Sequence, residues 1–255
     1  MIMKNKFCLL SEANYPNYAN RVKKYSIPRF LELNLNIPFY ISTNCIDMFK
    51  EYENHPLIKV YGIEQLRSNN IKSKLYEELP EDPTGLYPAR YPWNLRRFIL
   101  EQAIKDGYTG LFFIECDTKI HPHITSEKDL LNRMSSLYEP NTVKTSSARF
   151  IYANRSPACV FDSHQQYIND FNFNFSDDQY DSLDGTNQIF FGKDTESLVN
   201  FIDNWHKICD YGYEKQWGYR SGYLSNLSFV IPMSNFRLIH TETPFITEHS
   251  FEDRY

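Results

Sequence analysis

The stretch Leu111-Phe112-Phe113-Ile114-Glu115-Cys116-Asp117-Thr118-Lys119-Ile120 constrains the fold more than any other. Four consecutive apolar residues, preceded by Gly107 and Gly110, have the character of a strand buried on both faces. Such strands occur where helices cover both sides of a mainly parallel sheet. Two carboxylates then stand where that strand should end, an unfavourable place for acid unless something neutralises it. Residues i and i+2 of an extended segment point the same way, so Glu115 and Asp117 are expected to converge on one cation with Cys116 turned into the core. Carboxylate oxygens with positions left open for phosphate suit magnesium or manganese. Two solvated acids at a strand end are the alternative.

Around this stretch the chain alternates strand and helix. Lys6 to Leu10 reads as a first strand, followed directly by the turn-prone Ser11-Glu12-Ala13-Asn14-Tyr15-Pro16, where ligand loops of open α/β sheets sit. Asn17 to Leu33 carries Tyr18, Val22, Tyr25, Phe30 and Leu33 at roughly helical spacing, with Pro28 as an interruption, and Ile37 to Ile41 gives a second strand. Asp47 to Tyr52 is expected as a short helix and Ile58 to Tyr61 as a third strand. Arg67 to Arg90 is polar and holds Pro80, Pro83, Gly85 and Pro88, which reads as a long loop of the kind that forms lids or substrate-binding segments.

From Trp93 the pattern changes: Leu95, Phe98, Ile99, Ala103 and Ile104 repeat at three and four, and the helix ends at Gly107 before the acidic strand. Thr125 or Ser126 can cap a helix reaching Leu137, and Thr142 to Tyr152 is strand-like. Residues 153–185 are irregular, with an acidic run at Asp177, Asp178, Asp181 and Asp184. Asn187 to Gly192 reads as a strand, and Asp194 caps a helix with Leu198, Phe201, Ile202, Trp205 and Ile208 on one face. Short strands are expected near Phe229 to Ile231 and Arg237 to Ile239, ahead of His240.

The 255 residues suffice for one substantial α/β domain, and the 42% hydrophobic fraction with 19 Tyr and 19 Phe argues against disorder. No apolar run approaches the roughly 18 residues of a membrane span. Ser11 and Glu12 cut the first apolar run short of a signal peptide, so a cytoplasmic location is expected. Five scattered cysteines without a Cys-x-x-Cys indicate neither a disulfide framework nor a structural zinc. A net charge of −5 gives no general attraction to nucleic acid. Of the compact basic clusters, Arg90 to Arg97 suits a diphosphate, and Lys23-Lys24 reads as a solvated helix face.

Taken together, these segments resemble a GT-A fold glycosyltransferase, most closely the glycogenin and bacterial galactosyltransferase group. In that group an early strand is followed by an Asn-Tyr that contacts the nucleotide base. Leu9 to Tyr18 has the same layout, which implies Asn14 and Tyr15 as contacts for uracil or another base. The group's arginine-bearing helix leads into a hydrophobic strand ending in an Asp-x-Asp metal motif. Arg96, Arg97 and Glu115-Cys116-Asp117 look like those parts, implying Arg96 and Arg97 at the donor diphosphate and Glu115 and Asp117 at Mn2+ or Mg2+. Glu in the first position keeps the charge and lengthens the arm. The group's further metal ligand is a histidine after a short strand, and Leu238-Ile239-His240 looks like that element, with His121, His123 and His249 as weaker alternatives. The Gly and Lys-Pro-Trp that follow in the group are replaced here by Thr241-Glu242-Thr243-Pro244-Phe245.

The resemblance implies a GT-A (Rossmann-like) α/β fold, with a mixed, mainly parallel sheet flanked by helices. It implies one glycosyltransferase domain over 1–255, the nucleotide-binding half at about 1–120 and the acceptor-binding half at about 121–255. The implied activity is metal-dependent transfer of a sugar from a nucleotide-sugar donor, a UDP-sugar, to an acceptor that is a glycan or a modified nucleobase in DNA. Inversion would need a general base, for which Asp184, just ahead of the 187 strand, is preferred over Asp177 and Asp178. Retention would instead need a polar group under the donor sugar, the place of Gln188. Tyr87, Tyr91, Trp93, Tyr180, Trp217 and Tyr219 are candidate stacking platforms. A nucleotidyltransferase is the first alternative, although Ser11 to Tyr18 lacks the glycines of its basic loop. The second is a non-catalytic sugar- or nucleotide-binding protein on the same scaffold.

Overall fold

The structure is a computed structural model that describes residues 6–68, 91–146, 170–171, 187–214, 230–241 and 247–249. The loop expected up to Arg90 falls outside these residues beyond Ser68. So do the acidic run at Asp177 to Asp184, the residues after Ser146 in the expected strand, and Tyr87, Tyr180, Trp217 and Tyr219.

A central sheet is built from β1 (Phe7–Glu12), β2 (Phe39–Thr43), β3 (Ile58–Gly62), β4 (Gly110–Phe113), β6 (Thr142–Ser146), β7 (Gln188–Phe191) and β8 (Arg237–Thr241). Their order is β3-β2-β1-β4-β7-β6-β8. Neighbours run parallel except β7, which is antiparallel to both β4 and β6. A second, two-stranded sheet pairs β5 (Thr118–Ile120) with β9 (Thr247–His249) in antiparallel register.

Helices cover both faces, as the unbroken apolar run of β4 requires. Leu111 and Phe113 face one core with Cys8 and Leu10, under α4 (Tyr91–Lys105) and α6 (Thr195–Glu214). Phe112 and Ile114 face the other with Phe7 and Leu9, against α1 (Pro16–Arg21), α2 (Ile27–Glu32) and α5 (Glu127–Ser136). Two-residue alternation along β1 and β4 thus feeds two cores from one sheet.

The caps follow sequence. Ser126 Oγ accepts the Asp129 amide at the start of α5, and Asp194 Oδ1 accepts the Ser197 amide at 2.8 Å ahead of α6. Helix α1 continues into α2 through a π-helical stretch, Val22–Ser26, where the Ile27 amide bonds to Val22 O. This wide turn falls directly before Pro28, whose ring and missing N–H disfavour an ordinary α-helical bond, so the expected interruption is a bulge within a continuous helix. Ile46–Tyr52 forms a 3-10 helix, and Ile63–Ser68 (α3) follows β3.

One expectation is corrected. Residues 230–233 are helical, not a strand. Ser234 N bonds back to Val230 O at 3.0 Å, and Asn235, at φ 55°, ends the turn in the left-handed region. A short apolar run such as Phe229 to Ile231 does not distinguish strand from buried helix by periodicity. Val230 and Ile231 are buried in either conformation, here in the core that holds Trp205.

Candidate active site

Strands β1, β2 and β3 spread to one side of the sheet, and the chain then returns to place β4 on the other side of β1. This reversal opens a crevice beyond the carboxyl ends of β1 and β4, where open α/β sheets bind ligands. Ile114 N bonds to Leu10 O at 2.8 Å, which aligns the two strand ends. Glu12, Asn14 and Tyr15 lie on the β1 side, and Glu115, Cys116 and Asp117 on the β4 side.

The acidic pair does not continue the strand. β4 stops at Phe113, and Thr118 N bonds back to Glu115 O at 3.1 Å, closing a turn. Asn187 holds it from the next strand: its Oδ1 accepts the Glu115 amide at 3.1 Å and lies 3.0 Å from Thr118 Oγ1. Ser26 Oγ donates to Thr118 O at 2.8 Å from the other side. The placing of Glu115 and Asp117 thus comes from a pinned turn and not from strand alternation. Cys116 packs against the α1/α2 core, as expected.

Each acid meets a different arginine. Arg96, on α4, is 1% exposed; its Nη2 lies 3.1 Å from Glu12 Oε1 and 3.5 Å from Glu115 Oε1, with the guanidinium stacked 3.6 Å from the centroid of Phe113. Arg21 Nη1 stands 3.9 Å from Asp117 Oδ2. Burial pushes the Glu115 carboxyl up to about 8, against the pull of Arg96 and with the help of nearby Asp117 and Glu12. Burial likewise raises Glu12, opposed by Arg96, and raises the Cys116 thiol, with Glu115 and Asp117 adding to the effect. Burial raises the Tyr18 hydroxyl, with Cys116 and Glu12 adding to the effect.

The polar lining extends along β1 and β2. Ser42 stands opposite Glu12 in the register. Ser42 Oγ, Glu12 Oε2 and both amide atoms of Asn14 are buried with no hydrogen-bond partner among the described residues. Thr43 Oγ1 donates to Ala13 O at 2.7 Å and Ala13 N to Ser42 O at 2.8 Å, fixing the loop that carries Asn14. Tyr15, half-buried, precedes α1 and packs edge-on against Tyr18 with centroids 5.5 Å apart. Buried donors and acceptors left open call for a partner from outside the protein, such as water, an ion or a ligand.

The other sequence candidates are placed as follows. Arg97, fully buried, turns to α6, where its Nε donates to His206 Nδ1 at 2.8 Å; His206 Nε2 lies 3.2 Å from Glu101. The structure therefore separates Arg97 from Arg96. Gln188 is buried at the start of β7, opposite Phe113 and so beside the crevice. His240 stands on the edge strand β8, opposite Thr145 of β6. His249 stands on β9, opposite Thr118, the residue after Asp117. His121 and His123 pair with one another through their Nδ1 atoms, 2.5 Å apart, beyond the end of β5. Asp184 lies outside the described residues.

Sequence reasoning missed Glu12, Arg21 and Asn187. Glu12 alone left a signal, a carboxylate ending the first apolar run at the mouth of the crevice. The donor chemistry of Glu115 and Asp117 fits a hard divalent ion: both offer carboxyl oxygens, with side chains 16% and 20% exposed, and they stand 3.5 and 3.9 Å from Arg96 and Arg21. Among the described residues no three His, Cys, Asp or Glu side chains converge as a metal cluster.

The seven-stranded, mostly parallel sheet flanked by helices matches solved structures of the GT-A glycosyltransferase fold. The solved structure of WbbM, a bifunctional glycosyltransferase, is similar with a TM-score of 0.51 at 12% identity, over 94% of this chain and 39% of that one. This chain thus spans about two fifths of WbbM's length. LgtC, a galactosyltransferase in complex with donor and acceptor sugar analogs, is similar with a TM-score of 0.48 at 11% identity over 97% of this chain and 87% of that one. Mouse xyloside xylosyltransferase 1 gives 0.48 at 8% identity over 92% and 85%. No protein-family model matches the sequence, and no curated protein matches it.

Proposed function

We propose that the chain is a metal-dependent glycosyltransferase that takes a sugar from a UDP-sugar and delivers it to a glycan or to a modified base in DNA. One observation carries the reading: at the fold's ligand crevice, buried polar atoms of Asn14, Ser42 and Glu12 stand open beside Glu115 and Asp117, which face Arg96 and Arg21. A non-catalytic binding protein would share that surface, so turnover is what must be tested.

In this reading Asn14 meets the base through its amide, and Tyr15 gives the ring a flat neighbour. Arg96 supplies a fixed, always charged fork for the diphosphate. Glu115 and Asp117 hold Mn2+ or Mg2+, which when bound supplies Lewis-acid stabilisation of charge on the departing diphosphate. The bond between the sugar's anomeric carbon and the diphosphate oxygen breaks, and one to the acceptor oxygen forms as that hydroxyl loses its proton. Asp184 would accept the proton in an inverting reaction, whereas Gln188, beside Phe113, would support the sugar in a retaining one. The nucleotide half is then about 1–120 and the acceptor half about 121–255.

His240 is assigned as the third metal ligand on the resemblance. A second reading gives that place to His249, because the β5-β9 register sets it across from Thr118, next to Asp117. His240→Ala and His249→Ala separate the two by their manganese affinity.

The function is tested with a panel of UDP-sugars and manganese, following release of UDP by NMR. Asp117→Asn should lower turnover by at least about a hundredfold, the scale of losing a principal electrostatic stabiliser. Pyrophosphate as the product would instead establish a nucleotidyltransferase. Donor binding with no turnover on any donor or acceptor would leave the chain a binding protein.

A further inference from the structure

Glu115 and Asp117 take the first and third places of the turn from Glu115 to Thr118, and a turn, unlike a strand, does not of itself set two side chains on one side. Its closing bond, Thr118 N to Glu115 O at 3.1 Å, leaves the Glu115 amide to be held from elsewhere. Asn187 holds it. β7 runs antiparallel to β4 with Gln188 opposite Phe113, so the preceding Asn187 reaches the chain just past the end of β4. Its Oδ1 accepts the Glu115 amide at 3.1 Å and lies 3.0 Å from Thr118 Oγ1, so one buried residue meets both ends of the turn. Ser26 Oγ donates to Thr118 O and fixes the far end independently. A cation site binds tightly when its ligands are already in place, because ordering them on binding costs conformational entropy.

We propose that Asn187 is a positioning residue for the metal, its amide oxygen holding the turn from Glu115 to Thr118 in the metal-binding arrangement before the cation arrives. The inference rests on the reading of the crevice as a metal-dependent donor site. Asn187 touches neither metal nor donor in this role; it acts through the backbone of Glu115. The bond is made by the main chain, so it is the same whether or not the Glu115 carboxyl carries its proton.

The test titrates manganese alone into the parent, N187A and N187D at one pH, following loss of the free-ion EPR signal, and records hydrogen exchange of the Glu115 amide in the metal-free proteins by NMR. N187A should bind manganese about tenfold or more weakly, the usual scale for losing a group that orients a metal ligand, and should lose protection of the Glu115 amide. N187D keeps an acceptor at this place and should keep that protection; its loss there contradicts the proposal. H206A, altered at the α4–α6 contact away from the turn, reports the effect of lowered stability alone and should bind manganese as the parent does. A loss in H206A as large as in N187A, at equal loss of stability, overturns the proposal. So does a Glu115 amide equally protected in N187A, because the turn then holds without Asn187. If N187A does not fold, the parent decides: its Glu115 amide must be protected without metal, and rapid exchange there shows the turn unformed before the cation arrives and overturns the proposal. No manganese binding by the parent overturns the metal-dependent reading and takes the proposal with it, whereas manganese bound equally well by the parent and N187A overturns the proposal alone.

Discussion

Burial pushes the Glu115 carboxyl up, against the pull of Arg96. Its ordinary value is 4.5, and burial raises it in the folded protein to about 8. Without metal, the native state therefore keeps a proton between these values that the unfolded chain has lost. The sign follows: the contribution of Glu115 to stability is full below pH 4.5 and is lost as pH rises through about 8. Urea denaturation in chelator should show the parent weakening across that window, and Glu115→Gln should remove this part of the slope. A parent that instead gains stability there, with the variant matching it, would contradict the burial argument.

Among the elements, the α4–α6 contact is where an adjacent pair of arginines divides its labour. Arg96 faces the crevice, while Arg97 is committed to His206 across the helix interface. His206→Ala leaves a buried guanidinium without that acceptor and should destabilise the fold by about 2 kcal/mol, measured by urea titration. Nucleotide affinity of the folded fraction should be unchanged, since Arg97 is not at the diphosphate in this account. The 96–97 pair also shows what was legible. Spacing announced the helix, the apolar strand and the acids after it, because burial imposes a period on local sequence. Which arginine meets which partner depends on the packing of α6, over a hundred residues away in the chain, and leaves no local pattern. The turn at Glu115 to Thr118 was illegible for the same reason, being pinned by Asn187 and Ser26. Residues 230–233 failed differently: their apolar content was read correctly and their conformation was not.

For the whole molecule, the crevice joins segments far apart in the chain, the ends of β1 and β4, Arg96 of α4 and Asn187, so ligand bound there should stabilise the fold as one unit. No helix among the described residues is long and apolar enough to cross a membrane. At a hundred times its dissociation constant, a ligand that binds only the native state adds about 2.7 kcal/mol. UDP with manganese should therefore raise the melting temperature by several degrees, and neither UDP nor manganese alone should match that rise. The most direct measurement of the central claim is calorimetric titration of UDP with and without manganese, on the parent and on Asp117→Ala. The account predicts binding that needs the metal and disappears in the variant; tight binding without metal, unchanged in Asp117→Ala, would contradict it.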